Sequence, residues 1–469
     1  MDSPAISTAH DAARHATLVA ELQARWPEHR IAPSLGRVQA LCDLLGNPER
    51  SAPVIQVAGT NGKGSTALMI DALLRSEGLR TGRVASPHLQ DLTERICIDG
   101  HPISRAAFAD LYDEVKPFID LVDAQAIDGV QMTFFEVMTG LAFAAFADAP
   151  VDVMVLEVGL GGTWDATNVA DADVAVICPI DLDHTHILGS TVAEIAAEKA
   201  GIIKPGATAV IAGQTREAAE VLLARCAEVG ADPVLEGPGF GLLSRELAVG
   251  GQVLRINGAE GPIGDLHLPL HGRHMAENAA LAVAAVESFL GGRALPPEVI
   301  SDGLADVVAP ARLEVVRRSP TVVLDTAHNP HGVRATLEAV HEAFTFQPLV
   351  GVVAMMGDKA VDEVFGLLAD QLSHVVVTTI SSTSRALSVD DLADIAEGAM
   401  GVERVDRAAT MAEALDRAMQ VADEAGPAAG VLVIGSLMAA GEARDILGAP
   451  EHSGALGTAA LEDDDEDDW

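Results

Sequence analysis

The chain of 469 residues is poor in three things, and each scarcity narrows what it can be. Its four cysteines, Cys42, Cys97, Cys178 and Cys226, are scattered and form no CxxC pair. Neither a disulfide framework nor a thiolate metal site is therefore expected, and reduced thiols in the cytoplasm are. Aromatic residues make up only 3% of a chain that is 49% hydrophobic, so its cores must be built from aliphatic side chains. Positive charge is also scarce: 30 Lys and Arg face 69 Asp and Glu, a formal net charge of −39. Such a chain repels phosphate backbones, which argues against a nucleic-acid partner. No apolar run approaches the roughly 18 residues that span a bilayer. The opening "MDSPAISTAHDAARHATLVAELQARW" lacks the basic start and apolar core of a secretory signal. A membrane partner is not expected, and the acidic end "EDDDEDDW" reads as a disordered, solvated tail.

What is present is an alternation of apolar runs and helical patterns, the mark of an α/β protein. "APVIQVAG" (52–59), "RTGRVAS" (80–86), "VDVMVLEVG" (151–159), "ADVAVICPI" (172–180) and "ATAVIAG" (207–213) read as buried strands of a mainly parallel sheet covered on both faces. Prolines at 296, 297 and 310 loosen the pattern, and a domain join is placed there. A second series then follows: "PTVVLDTAHNP" (320–330), "PLVGVVAMMG" (348–357), "HVVVTTI" (374–380) and "AGVLVIGS" (429–436). The expectation is a large N-terminal P-loop ATPase domain over 1–298 and a smaller Rossmann-like α/β domain over 299–450, with the tail at 451–469.

"VAGTNGKGST" (57–66) stands between a strand and a helix. A glycine-rich turn there exposes backbone N–H groups, and the helix N-terminus adds its positive end. Lys63 supplies a cation for phosphates, with Ser65 and Thr66 as nearby hydroxyls. The spacing departs from G-x-x-x-x-G-K-[ST], because two residues separate Gly59 from Gly62 and Gly64 follows the lysine. ATP binding is the firm expectation. Phosphoryl transfer then calls for Mg²⁺, which prefers oxygen ligands. Three strand ends offer groups: Ser86 before "PHL", Glu157 before "VGLGG", and His184 after the strand ending near Pro179. In the second domain Asp325, His328 and Asn329 follow a strand, and taken alone they read equally well as a capped loop.

"DHTHILGSTVAEIAAEKAGIIKPG" (183–206) looks like a loop feeding an ordinary helix. Thr191 and Glu194 form a capping box, and Gly201 with Pro205 closes the helix. Lys199 beside Glu198 reads, in isolation, as a cation at a helix C-terminus.

The motifs "GTNGKGST", "SPHL", "TFFE", "LEVGLGGTWDATN", "DHTHILGSTVAEIAAEKAGIIKPG", "HMAENAALA" and "DTAHNPHG" occur in the order found in one family. The chain resembles the bacterial bifunctional folylpolyglutamate synthase/dihydrofolate synthase family, within the Mur ligase superfamily, over about residues 30–440. The resemblance implies an ATP-dependent ligase that joins L-glutamate to dihydropteroate and to the γ-carboxylate of reduced folates through an acyl phosphate. It implies nucleotide contacts at Thr60, Asn61, Gly62, Lys63, Gly64, Ser65, Asn278, Arg312, Asp325 and His328. It places Mg²⁺, one ion or two, on Ser86, Glu157 and His184, and a carbamylated lysine at Lys199. Lys63, Lys199, His184 and Arg312 become the catalytic set. Substrate contacts fall on Ile31, Ala32 and Pro33, on Thr133, Phe134, Phe135 and Glu136, and on Trp164 and Asp165. Thr163 stands where some members carry a larger or basic residue. The rivals are a Mur-type ligase acting on another carboxylate, which "SPHL" and "TFFE" argue against, and an ATP-binding module without chemistry. A monomer working on small molecules is the expectation.

Overall fold

The computed structural model describes residues 4–25 and 32–449, so Ile31 and the acidic tail lie outside the described residues. The first sheet has eight strands. They are β1 (Val54–Ala58), β2 (Thr81–Val84), β3 (Ile96–Ile98), β4 (His101–Pro102), β5 (Val153–Glu157), β6 (Val174–Ile177), β7 (Thr208–Ile211) and β8 (Asp232–Leu235). Their spatial order is β4-β3-β2-β5-β1-β6-β7-β8, parallel from β2 through β8, with β3 and β4 antiparallel at one edge. Every residue of β1, β5 and β6 is buried, as expected of strands apolar throughout. The helices Lys63–Ser76 and Arg273–Phe289 cover one face of the sheet, and Gly36–Leu44, Arg105–Gln125 and Phe134–Asp148 cover the other. β1 lies between β5 and β6, so the loops leaving all three strands meet at one end of the sheet. Those loops carry the nucleotide motif, Glu157 and the 183–206 segment, and ligands of open α/β sheets gather at such ends.

Three antiparallel strands, β9 (Gly241–Ala248), β10 (Gly251–Gly258) and β11 (Gly261–Leu268), form a separate sheet that the apolar-run pattern does not reveal. Their alternation is diluted by charge: β9 reads GLLSRELA, and Leu243 and Leu247 are exposed. The second domain has six strands, β12 (Arg312–Arg318), β13 (Thr321–Asp325), β14 (Leu349–Val353), β15 (His374–Val377), β16 (Val405–Arg407) and β17 (Gly430–Ile434). Their order is β12-β13-β17-β14-β15-β16, with only β12 antiparallel to its neighbour. The join expected at 298/299 falls at the start of the helix Pro297–Ala305. That helix buries Ile300 and Leu304 in the first core, and Val299 O accepts a hydrogen bond from Ser76 Oγ at 2.9 Å. No helix among the described residues is long and apolar enough to cross a membrane.

Candidate active site

The chain leaves β1 at Ala58 and turns through Gly59–Gly62 into the helix beginning at Lys63. Thr60 N and Asn61 N donate to Pro179 O at 3.0 and 3.4 Å, and Thr60 Oγ1 donates to Asp181 O at 2.9 Å. These bonds pin the loop to the segment after β6. Gly62 has φ 87°, and a Cβ there would lie 2.8 Å from Asn278 Oδ1, so both backbone and space require glycine. Lys63 Nζ turns back onto its own loop and donates to Gly59 O at 3.1 Å and Thr60 O at 3.4 Å. With the helix N-terminus beside it, the loop has the elements of an anion cradle.

Glu157 ends β5 and is buried against this loop. Burial raises its pKa, and the nearby positive charges of Lys63, Arg83 and Arg312 oppose that rise. Ser86 N donates to Glu157 Oε2 at 3.2 Å, while Ser86 Oγ is buried without a hydrogen-bond partner. Arg312 opens β12 between Ala311 (φ 51°) and Leu313 (φ 50°), two buried non-glycine residues in left-handed conformation. Strain of this kind, about 1–3 kcal/mol per residue, persists only where the surroundings over-determine it. Part of that determination comes from Asp325, whose carboxylate accepts Leu313 N at 3.1 Å, Ala327 N at 2.9 Å and Thr336 Oγ1 at 2.8 Å. Asp325 is thus committed to shaping the loop that places Arg312.

A cleft of about 1220 Å³ runs between the two domains. Thr60 through Ser65, Ser86, Glu157, Asn278, Arg312, Asp325 and His328 all line it, so the nucleotide residues expected from the sequence converge. His184, Lys199, the 133–136 stretch and Trp164 with Asp165 are not part of its wall.

His184 lies outside the cleft wall that carries Ser86 and Glu157. It adopts φ 48°, and its ring faces Lys359 of the second domain, with Lys359 Nζ 3.3 Å from His184 Nε2. Burial first, and then the positive charge of Lys359, outweigh Asp183 and push the imidazole pKa down to about 4. The ring is therefore neutral at physiological pH, the form that ligates a metal. Asp183 is gripped from across the cleft: Lys359 Nζ donates to Oδ1 at 2.7 Å, Asn329 Nδ2 donates to Oδ2 at 3.1 Å, and His328 Nε2 lies 3.6 Å from Oδ2.

The helix Val192–Lys199 begins with the expected capping box. Thr191 Oγ1 accepts Glu194 N at 3.2 Å, and the Glu194 carboxylate accepts Thr191 N at 3.1 Å. Lys199 at its end is 3% exposed. Burial, reinforced by Lys63 and opposed by Asp183, Asp165 and Glu198, lowers its pKa to about 7. It is thus a buried amine with a large neutral fraction near neutral pH, unlike a surface lysine at a helix end.

The substrate stretches share a scaffold. Arg37 is buried, donates through Nε to both Glu136 oxygens at 3.1 and 3.0 Å, and reaches Ala32 O through Nη2. It ties Ala32 and the exposed Pro33 to the "TFFE" turn. Thr133 and Glu136 form the capping box of the helix Phe134–Asp148, which leaves Glu136 internally partnered. Phe134 packs beneath the Arg95 guanidinium at 5.0 Å, and Phe135 is half-buried. Asp165 is also internally bound: it accepts Leu160 N and Thr167 N, each at 3.0 Å, and so braces the loop that presents the half-buried Trp164.

Among the described residues no three His, Cys, Asp or Glu side chains converge to hold a metal ion by themselves. A buried hydroxyl without a partner beside a buried carboxylate nevertheless suits a hard cation that completes its shell with phosphate oxygens and water. Ser86 and Glu157 therefore fit Mg²⁺ as a pair, and neutral His184 has a ring nitrogen that can ligate a metal. Sequence reasoning assigned no role to Asp183, Arg83 or Lys359. Lys359 follows β14 in "GDK", and its position just past a strand end was the available signal.

Two family models match the chain: the Mur ligase middle domain over residues 57–286, and the Mur ligase, glutamate ligase domain over residues 311–437. The chain is 47% identical over 451 residues to a dihydrofolate synthase/folylpolyglutamate synthase of Mycobacterium tuberculosis, covering 91% of this chain and 92% of that one. The solved structure of Mycobacterium tuberculosis folylpolyglutamate synthase complexed with ADP superposes with a TM-score of 0.91 at 46% identity, covering 94% of this chain and all of that one. E. coli FolC in complex with DHPP and ADP superposes with a TM-score of 0.80 at 29% identity, over 93% of this chain and 98% of the other.

Proposed function

The chain belongs to the folylpolyglutamate synthase/dihydrofolate synthase family of Mur ligases, and from that premise we propose which acids it extends and which of its residues do the work. It is an ATP-dependent ligase. The acids are dihydropteroate, giving dihydrofolate, and reduced folates, whose γ-carboxylate receives further L-glutamate. The observation that carries this reading is the cleft in which Lys63, Ser86 and Glu157 of one domain face Arg312 of the other.

A carboxylate does not lose hydroxide to an amine, so it is first phosphorylated. Its oxygen attacks the γ-phosphorus of ATP, the bond to the β-phosphate oxygen breaks, and ADP leaves. The amine of L-glutamate then attacks the acyl carbon, the tetrahedral adduct collapses, and inorganic phosphate leaves as the amine loses a proton. Lys63 swings from its loop carbonyls to the phosphates, and Arg312 meets the transferring group from the second domain. Both act by position and charge. Mg²⁺, which Ser86, Glu157 and His184 would hold, would supply further charge compensation for the phosphates. Lys199 is suited to carbamylation, since CO₂ adds to a neutral amine and burial favours that form. The carbamate would be an oxygen ligand close to Lys63. The stretches around Ala32, Thr133–Glu136 and Trp164–Asp165 would form the pterin side. The reading places a monomer in the cytoplasm, with small-molecule substrates and no nucleic acid.

The test is direct. Purified protein with ATP, Mg²⁺, L-glutamate and dihydropteroate should release ADP and form dihydrofolate, and tetrahydrofolate in a parallel assay should gain glutamate. No ADP release with any pteroate or folate sinks the reading.

A further inference from the structure

We propose that Lys359 is a resident cation at His184 and Asp183, which clamps the two domains together and must be displaced when a metal ion takes His184. The proposal rests on the reading of His184 as a metal ligand. Its ground is a juxtaposition that the sequence does not announce. Lys359 belongs to the second domain, its side chain is 8% exposed, and its ammonium sits 2.7 Å from Asp183 Oδ1 and 3.3 Å from His184 Nε2.

The imidazole has one lone pair free to bind a cation. His184 N donates to Asp183 Oδ1 at 2.8 Å, so residue 183 fixes the backbone of residue 184 while its carboxylate receives Lys359. The ammonium therefore occupies the position from which Nε2 would meet a metal. An ammonium and a divalent ion cannot both stand within about 3 Å of one nitrogen in a largely buried site, where their repulsion is poorly screened. The other groups on Asp183 come from the second domain: Asn329 at 3.1 Å and His328 at 3.6 Å, both on Oδ2. They can keep the domains in contact after Lys359 leaves Oδ1. Metal loading then frees a lysine beside the cleft without opening the molecule. Lys359 is on this account a positioning residue, acting through His184 and Asp183.

The experiment titrates the full-length protein with Mn²⁺, without nucleotide, and follows free Mn²⁺ by electron paramagnetic resonance. Lys359→Met should tighten the binding that His184 supports by about tenfold, and metal-free Lys359→Met should keep the wild-type radius of gyration in solution scattering, since Asn329 and His328 still hold Asp183. Lys359→Gln gives the same readout if the methionine variant does not fold. Unchanged or weaker Mn²⁺ affinity in both Lys359 variants overturns the proposal while leaving His184 as a ligand. Mn²⁺ affinity that is the same in wild type and His184→Ala overturns the metal reading, and the proposal with it.

Discussion

Asn61 of the phosphate loop and Asn329 of the second domain meet amide to amide across the cleft. Asn329 Nδ2 donates to Asn61 Oδ1 at 3.1 Å, and Asn61 Nδ2 lies 3.5 Å from Asn329 Oδ1 and 3.0 Å from His331 Nδ1. The glycine-rich loop after β1 is thus in direct contact with the second domain. Asn61→Ala should raise the KM for ATP roughly tenfold, the worth of one or two hydrogen bonds, with little change in melting temperature. Asn329→Ala should do the same and also lose about 1 kcal/mol of stability. The extra loss arises because Asn329 Oδ1 caps the helix Pro330–Ala343 by accepting Gly332 N at 2.8 Å. Initial-rate assays beside thermal melts separate the two effects, and equal melts would refute the distinction.

Lys63 is held in readiness by two carbonyls of its own loop, at 3.1 and 3.4 Å. Lys63→Met removes a charge that the transferring phosphoryl group needs, and turnover should fall by about 10²–10³. The fold should be unaffected, since the bonds from Thr60 and Asn61 to the segment after β6 remain. ADP release measured beside a melting curve checks both halves of this statement.

The sequence was most informative where one side chain or one pattern acts locally. The apolar runs located β1, β2, β5, β6 and β7, and the strands β13, β14, β15 and β17, because buried parallel strands need no partner to be recognised. The capping box at Thr191 and Glu194 was legible for the same reason. β9–β11 were not, since their charged and exposed positions hide the alternation. In the site, the glycine-rich loop could be singled out because its glycines, lysine and hydroxyls lie within ten consecutive residues. Asp183 and Lys359 were not, because their meaning comes from a contact between residues 176 positions apart. Asp165 and Glu136 were read as substrate contacts from the resemblance, and the structure adds that their carboxylates already hold backbone N–H groups. Only three-dimensional partners could disclose that.

A further contact between the domains lies at the loop that begins with Ser86. Gly441, on the helix Leu437–Ile446, passes so close to this loop that a Cβ would stand 2.3 Å from Leu89 O. Gln90 Nε2 also donates to Asp445 nearby. Gly441→Val must push the helix off the loop, which should lower kcat/KM by about 10–100-fold through misplacement of Ser86. Gly441→Ala should produce a smaller loss. Steady-state kinetics on both variants test the ordering, and equal activity of Gly441→Val and wild type would show that this contact does not position the loop.

The buried amine of Lys199 makes stability depend on pH. Its pKa is about 7 in the folded protein against an ordinary value of 10.5, so the folded state binds fewer protons than the unfolded state between those limits. The lysine therefore costs stability in full below about pH 7, and the cost fades as pH rises toward 10.5. Lys199→Met removes it. The variant should be more stable than wild type at pH 6–7, by about 1–3 kcal/mol, and its stability should rise less between pH 7 and 10. On the proposed carbamylation, the same change should abolish most turnover. Wild-type activity should rise as pH passes through 7, and it should fall when CO₂ and bicarbonate are stripped from the buffer. Denaturant melts across this pH range, with assays in bicarbonate-free and bicarbonate-supplemented buffer, check each part. A Lys199→Met protein that is active, or no more stable than wild type at pH 6, would mean that the amine is not held buried and neutral for chemistry.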